Sequence, residues 1–363
     1  MRCLAAILGA LALLAAPLAS QTASAPCMAT EGSLTPSSWR APASGGARAP
    51  LRPDSATRAP LTIVADIPLP GAAKRFDYQS LDPTTGRLYI SHMHGDRLDV
   101  FDTRAGKLVA SLEGFPGATG VLAVPSLHRL YVSVTGRHEV AVLDDRSLEV
   151  MARIAGADFP DGIAYAPGER RIFVSDENGG ADLIIDGASN AKIGRIDLGG
   201  EAGNTHYDAP SHCILVAVQS KNEIAALDPA SQRIVARYHM QCDHPHGFLI
   251  DEPHRLAFVT CEGDARLLVI DLRSMRTTAT LKVAEGPDVL ALDAELERLY
   301  VASESGALAV FREHDGTLTL LGEYRAPHSH SVAVDPSSHR VYLPLQDVDG
   351  KPVLRILAPV GGT

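Results

Sequence analysis

The nine residues DPSSHRVYL, from Asp335 to Leu343, belong to a unit that the chain repeats seven times. Each copy joins a turn rich in Asp, Pro, Ser and Gly to a short run such as LYIS at Leu88 or LYVS at Leu130. Successive copies are 42 residues apart, except for one step of 43. Aligned on the aromatic or apolar residue of the run, the copies fall at Tyr89, Tyr131, Phe173, Leu215, Ala257, Tyr300 and Tyr342. A fixed period of roughly 40 to 50 residues with several short strands per repeat is typical of propeller blades. The sequence therefore predicts an all-β, seven-bladed β-propeller.

Each copy contains four predicted strands. The first is small and apolar, as in 162–165 (GIAY), and the second is the LYIS-type run. The third ends on an acid, as at Asp102, and the fourth alternates, as in 107–112 (KLVASL). Continuous apolar runs indicate sheets covered on both faces, whereas alternation indicates a half-exposed outer strand.

The two ends of the chain are predicted to share one blade. The seventh copy stops after three strands, at 353–357 (VLRIL), and an orphan strand precedes the first copy at 61–69 (LTIVADIPL). We expect this N-terminal strand to pair onto the last blade and close the ring, which leaves no unpaired edge at the seam.

The N-terminal region has the pattern of a secretory signal peptide. Arg2 precedes an apolar run at 4–18, and small residues follow at Ala23 and Ala25. The run is short for a membrane span, and Cys27 lacks a lipobox, so we expect a soluble periplasmic or secreted protein. The predicted organisation is a signal peptide (1–25), a disordered linker rich in Ala, Pro and Ser (26–60), a propeller (61–359) and a C-terminal tail (360–363).

Charge and motifs exclude several functions. The chain has 33 Lys and Arg against 43 Asp and Glu, a formal net charge of -10, and no basic cluster. This balance disfavours nucleic-acid binding. The sequence contains no HExxH, CxxC, GxSxG or phosphate-binding loop, so covalent catalysis has no visible candidate. We expect a monomer whose partner is a small molecule or a protein at the channel face.

Candidate site residues lie just ahead of each first strand, where loops surround the mouth of the central channel. This ring holds Asp77, Thr119, Asp161, Gly203, His246, Asp288 and His330. Around the closed circle, His246, Asp288, His330 and Asp77 alternate imidazole and carboxylate, ligands that suit a divalent transition metal. The alternative is that these residues only cap turns and line a water-filled funnel.

Further candidates surround this ring. Asp161 is a candidate for ligand binding, as are His244 and His328, which lie two residues before ring histidines. His206 interrupts the first strand of the fourth copy with a polar side chain, and a hydrogen-bonded core histidine is the alternative. Acidic residues of the loops between second and third strands are expected on the same face, among them Glu177, Glu262 and Glu304.

The cysteines allow two interpretations. Cys242 precedes the first strand of the fifth copy and Cys261 ends its second strand, so both should reach the channel face. A disulfide is favoured in an oxidising compartment, and metal ligation is the alternative. Cys213 begins a second strand and is expected to be a small buried hydrophobic residue.

The LYVS-type core, the third strand ending in Asp and the preceding DP turns resemble the YVTN-type seven-bladed propellers. With its signal peptide and length, the chain is similar to the YncE-like periplasmic proteins over about residues 61–359. The resemblance implies a secreted binding or scaffold module that binds a small ligand, metal ion or protein partner at the channel face without catalysis. The alternative is a lactonase-like, metal-assisted hydrolase or a redox enzyme that uses His246, His330 and neighbouring acids. A divalent transition metal is the cofactor that both hypotheses allow.

Overall fold

The computed structural model describes Cys27 and residues 60–360; the predicted signal peptide, the rest of the predicted linker and residues 361–363 lie outside the described residues. The described residues form 28 β-strands in seven four-stranded antiparallel sheets, with four short 3₁₀ helices in the loops. This arrangement confirms the predicted seven-bladed propeller. Within the described part, no helix is long and apolar enough to cross a membrane.

Each blade takes four strands, numbered here in chain order. Blades 1 and 2 contain β2 (Gln79–Asp82), β3 (Arg87–His92), β4 (Arg97–Asp102), β5 (Lys107–Glu113), β6 (Ala118–Val124), β7 (Arg129–Val134), β8 (Glu139–Asp144) and β9 (Val150–Ala155). Blades 3 and 4 contain β10 (Pro160–Ala166), β11 (Arg171–Asp176), β12 (Ala181–Asp186), β13 (Ala191–Asp197), β14 (Ala202–Asp208), β15 (Cys213–Val218), β16 (Glu223–Asp228) and β17 (Arg233–His239). Blades 5 and 6 contain β18 (Pro245–Asp251), β19 (Leu256–Cys261), β20 (Arg266–Asp271), β21 (Arg276–Lys282), β22 (Pro287–Asp293), β23 (Arg298–Ser303), β24 (Ala307–His314) and β25 (Thr317–Arg325). Blade 7 contains β26 (Ala333–Asp335), β27 (Arg340–Val348), β28 (Lys351–Pro359) and β1 (Leu61–Pro68). The 3₁₀ helices are Met93–Gly95, Pro125–Leu127, Thr135–Arg137 and Gln219–Lys221.

The ring closes through the N-terminal strand. β1 pairs antiparallel with β28, from Leu61 opposite Pro359 to Pro68 opposite Val353. Two hydrogen bonds from the Arg355 guanidinium to the Asp66 carboxylate, at 2.7 and 2.6 Å, reinforce the pairing. The predicted closure is therefore confirmed, and blade 7 joins the two ends of the described propeller.

The core lies between the blades rather than inside any one of them. The described residues form seven hydrophobic clusters, and each draws on two neighbouring blades. Successive side chains of a strand point to opposite faces, so Tyr131 packs between blades 2 and 3 while Leu130 and Val132 pack between blades 1 and 2. Each blade is thus buried on both faces and requires both neighbours.

The repeated Asp residues shape the turns on the face opposite the channel mouth. Asp82 Oδ1 accepts a hydrogen bond from the Thr84 backbone N–H at 2.8 Å, which closes a tight turn before β3. His339 Nδ1 lies 2.8 Å from Asp293 Oδ2 of the neighbouring blade, and the φ of His339 is 55°. His339 therefore serves turn structure and ties two neighbouring blades together.

Cys213 forms a disulfide with Cys27, across a sequence separation of 186 residues. The expectation that Cys213 is merely a small buried hydrophobic residue was wrong. Its side chain is buried, but it begins β15 at the turn face, where Cys27 packs into the cluster between blades 4 and 5. The start of the predicted linker is therefore covalently attached to blade 4.

We predict that Phe173→Ala lowers the free energy of unfolding by about 3–5 kcal/mol, because Phe173 is fully buried between blades 3 and 4. Ile193 lies in the same blade but is 42% exposed on the outer strand, so Ile193→Ala should change stability by less than about 0.5 kcal/mol. Urea unfolding followed by circular dichroism measures both values. Equal effects would contradict the interblade core.

Candidate functional site

β-Bulges orient the ring residues toward the channel. In blade 5, Pro245 pairs with Cys261 and Phe248 pairs with Val259, so His246 falls in a register shift. Blades 2, 3, 4 and 6 show the same shift at the corresponding position, which in blade 6 holds Asp288. Because a bulge breaks the regular alternation of a strand, it can direct a side chain away from the sheet face.

Close backbone contacts bring neighbouring ring residues together. A side chain at Gly247 would place its Cβ 1.8 Å from the Asp288 carbonyl oxygen, so only glycine fits there. The Thr260 hydroxyl donates a hydrogen bond to the same oxygen at 3.0 Å. In blade 2 the serine that ends the LYVS run, Ser133, donates to the Asp161 carbonyl at 2.7 Å. The repeat therefore contributes to the position of the ring as well as to the fold.

The channel mouth is a cavity of about 220 Å³ with an excess of acidic groups. Its carboxylates come from the ring and from the loops between second and third strands: Asp77, Asp161, Glu177, Glu262, Asp288 and Glu304. Arg75 and His246 supply its basic groups, and Met93 and Phe159 supply apolar surface. Such a lining favours a bound cation.

Four ring residues converge at separations longer than typical hydrogen bonds. His246 Nε2 lies 3.4 Å from Asp288 Oδ1, and His330 Nε2 lies 3.9 Å from Asp288 Oδ2 and 3.8 Å from Asp77 Oδ1. The ligand atoms of His246, Glu262 and Asp288 all lie within 4.8 Å of one another. Ligands bound at about 2.0–2.2 Å in a tetrahedral zinc site lie about 3.4 Å apart. The spacing of His246 and Asp288 therefore suits two ligands of one cation.

Several polar atoms of this group lack hydrogen-bond partners among the described residues. They are His246 Nδ1, Asp288 Oδ1 and His330 Nε2, and all three side chains are about nine-tenths buried or more. An unpaired buried polar group costs about 1–3 kcal/mol, and native structures contain few of them. A bound ion would satisfy the atoms that face the cavity.

The buried ionisable groups shift one another's pKa values. Burial alone would lower the pKa of His246, but the carboxylates of Asp288, Glu262 and Asp161 outweigh it and raise the pKa to about 9. Burial raises the pKa of Asp288 to about 6, although His246 and His330 oppose the shift. Burial, reinforced by the charge of Asp77, raises the pKa of Asp161 well above its usual range. Without a cation, the mouth therefore retains protons near neutral pH.

Tyr78 reaches across the channel from blade 1. Its hydroxyl lies 3.2 Å from His246 Nε2 in blade 5 and 3.5 Å from Asp161 Oδ2 in blade 3. Burial, with the charge of Asp161 adding to it, raises the pKa of Tyr78 well above its usual range, so the phenol stays protonated. Tyr78 lines both the mouth and a second cavity deeper in the channel.

The structure separates the remaining predicted residues. His244 and His328 are exposed on loops, and neither lines the mouth cavity. His206 lines the deeper cavity, where its ring stacks on Phe248 with centroids 5.5 Å apart. Cys242 and Cys261 form a disulfide, so their sulfurs are not free to bind a metal.

Glu262 contributes to the site although it lies outside the predicted ring. It belongs to a second ring with the same spacing, formed by the first residue after the second strand in blades 1 to 6 and by the equivalent position within β27: Met93, Thr135, Glu177, Gln219, Glu262, Glu304 and Gln346. The repeat register could have identified these positions. No repeated pattern identifies Arg75 or Tyr78, because the equivalent positions of the other six blades hold neither an arginine nor a tyrosine.

A second group of possible metal ligands lies at the turn face. Ligand atoms of Asp251, His254 and Glu313 lie within 4.8 Å of one another. However, His254 Nδ1 lies 2.8 Å from Asp251 Oδ2, and Glu313 Oε1 accepts a hydrogen bond from the Gly316 N–H at 2.8 Å. The members of this group are already hydrogen-bonded to one another or to the turn backbone. The group therefore serves as a control in tests of metal binding at the channel mouth.

The fold and the site define the class of the protein as a seven-bladed β-propeller with an acidic, histidine-bearing channel mouth. Its sequence matches no protein-family model and no curated protein. Among solved structures, 1816 chains match. One is Kuenenia stuttgartiensis hydrazine synthase, with a TM-score of 0.67 and 17% sequence identity, covering 79% of this chain and 96% of that one. At this identity, the similarity establishes the fold alone.

We predict that the metal-free protein loses stability as the pH rises from 6.5 to 9. The pKa of His246 is raised from 6.5 to about 9, so its contribution is fully present below pH 6.5 and disappears as the pH passes 9. One proton corresponds to a slope of at most about 1.4 kcal/mol per pH unit. Urea unfolding with chelator across this range measures the slope.

The matched variants for this prediction are His246→Gln and His244→Gln. The first should flatten the slope, whereas the second changes an exposed histidine in the same loop and should preserve it. Identical slopes in the two variants would show that the stability of the protein does not depend on His246 titration.

Proposed function

We propose that the protein is a noncatalytic binding propeller that holds one divalent transition-metal cation at its channel mouth and presents it to a small ligand or a protein partner. The proposal rests on the convergence of His246, Glu262 and Asp288 within 4.8 Å. One imidazole and two carboxylates suit zinc, and they also suit manganese, iron or nickel. The buried, unpartnered Oδ1 of Asp288, which lies 3.4 Å from His246 Nε2, supplies the second line of support.

We assign different roles to the residues of the site. His246, Glu262 and Asp288 are the proposed ligands. His330 Nε2 lies 3.9 Å from the second oxygen of Asp288, and we place His330 outside the coordination sphere as a neighbouring charge. Three protein ligands leave a coordination position for a water molecule or an exchangeable ligand. Arg75, Met93 and Phe159 line the same cavity, so an incoming group would meet both a positive charge and apolar surface.

A second candidate function is metal-assisted hydrolysis. The observation that favours it is Asp161, whose raised pKa keeps a proton on a carboxyl group near the proposed ligands. A protonated carboxyl group can act as a general acid beside a metal-activated water. Asp161→Asn should abolish hydrolysis of a lactone or ester by the metal-loaded protein while leaving metal affinity within about threefold. If the metal-loaded wild type hydrolyses neither a lactone nor an ester, the hydrolase function is excluded and the noncatalytic binding function remains.

We place the mature protein in the periplasm or outside the cell. The pattern of residues 1–25 supports this location. The Cys27–Cys213 and Cys242–Cys261 disulfides support it further, because such bonds persist in oxidising compartments. Membership in the YncE-like group and a monomeric state are parts of the same proposal, and membership rests on the repeat sequence alone.

We predict that the mature protein binds about one equivalent of Zn²⁺ or Co²⁺. His246→Ala should weaken binding by more than the roughly 10–100-fold that loss of an outer-sphere partner costs, because it removes a ligand atom. Isothermal titration calorimetry measures stoichiometry and affinity. The visible absorption of bound Co²⁺ reports whether imidazole and carboxylate surround the ion.

The control is His254→Ala, which removes a histidine from the turn-face group without touching the mouth. This variant should bind metal like the wild type. If it lost the metal and His246→Ala retained it, the site would lie at the turn face. Absence of metal binding by all three folded proteins would exclude the proposed function.

The two disulfides should affect different properties. Cys242 is buried near His246, and Cys261 directly precedes Glu262. The double substitution Cys242→Ser, Cys261→Ser should therefore weaken metal binding roughly tenfold by loosening preorganised ligands. Cys27→Ser, Cys213→Ser should leave metal affinity unchanged but cost more stability, about 5 against about 3 kcal/mol, because it opens a much longer loop. Calorimetry and urea unfolding separate the effects; equal metal affinity in both variants would contradict this assignment.

A further inference from the structure

A second cavity of about 230 Å³ lies in the channel beyond Tyr78, and we call it the lower chamber. Its walls come from the first strands of the blades, and they are mainly apolar: Val121, Ile163, Phe248, Leu290 and Val332. Within the described chain, no carboxylate, lysine or arginine lines this chamber. It therefore offers little to attract an ion, in contrast to the mouth.

Tyr78 lies between the acidic mouth and the apolar lower chamber. Its ring forms part of both linings, while its hydroxyl faces His246 and Asp161 on the mouth side. A molecule in the lower chamber would contact the tyrosine ring but not the acidic group above it. The lower chamber can thus be occupied independently of a cation at the mouth.

Several polar side chains of the lower chamber already form hydrogen bonds to neighbouring residues. The Thr205 hydroxyl lies 3.2 Å from Asp182 Oδ2 and donates to it, and Gln79 Nε2 donates to Ser331 Oγ at 3.1 Å. His206 differs, since it makes no hydrogen bond to any described residue and contacts Phe248 through its ring. Burial lowers the pKa of His206 to about 4, so at neutral pH one ring nitrogen is a free acceptor and the other a donor.

We propose that the lower chamber is a second binding site, for a small uncharged ring compound that bears a hydroxyl or N–H group. The ring would pack against the apolar walls and Phe248, and the polar group would donate a hydrogen bond to His206. The size fits one ring, because a cavity of about 150 Å³ already holds benzene. A permanently charged ligand is excluded, because no described opposite charge lines the chamber.

The test uses phenol and toluene as probes of nearly equal shape, of which phenol alone can donate a hydrogen bond. Ligand-observed NMR titration of the metal-free mature protein should give phenol a dissociation constant in the millimolar range, about what seven non-hydrogen atoms can provide. His206→Leu should weaken phenol roughly 3- to 10-fold, since it removes the acceptor. The affinity for toluene should stay the same.

Two further variants keep the proposal testable if His206→Leu fails to fold. Ile163→Phe narrows the lower chamber and should abolish binding of both probes. Phe159→Ala removes apolar surface from the mouth only and should leave phenol binding unchanged. Failure of the wild type to bind either probe would overturn the proposal, as would equal phenol binding in wild type and Ile163→Phe. Loss of phenol binding in Phe159→Ala would assign the probe to the mouth, and it would overturn the proposal of a separate site.

Discussion

The structure depends on the fact that each blade has two apolar faces. Tyr131 packs toward one neighbouring blade while Leu130 and Val132 pack toward the other, so no blade can bury its core alone. The requirement is met only when the ring is closed, which makes the pairing of β1 with β28 a condition for all seven interfaces. A closed ring necessarily surrounds a channel, and the candidate site lies at the mouth of that channel.

Burying charged groups in the channel is unfavourable, and packing of the interblade core must offset that free energy. Burial of His246, Asp288 and Asp161 removes their charges from water, and mutual attraction repays such desolvation only when geometry and hydrogen bonding are good. At the mouth, carboxylates outnumber bases and several atoms have no partner among the described residues. Buried titratable groups with strongly shifted pKa values cluster at functional sites, which is why the mouth is the candidate site. The lower chamber has the opposite character, so one channel offers two environments separated by the ring of Tyr78.

The repeat makes much of the architecture predictable from the sequence, because a period of 42 residues fixes both the blade number and the register of the strands. The same register identifies His246 and Asp288 as neighbours around the channel. It does not give their distance, which depends on the bulges and on the close contact at Gly247. Tyr78 and the Cys27–Cys213 bond escape prediction for a different reason: each is a single residue or bond outside the repeat, and its partners are set by three-dimensional proximity.

The Cys27–Cys213 bond also determines how the propeller responds to mechanical force. In an unbridged chain, tension from the N-terminal side would act directly on β1, the strand that closes the ring, and could peel it from β28. With the bond in place, a pull at Cys27 passes through the sulfurs into β15 of blade 4 and bypasses β1. The strand that closes the ring is thereby isolated from tension applied at Cys27.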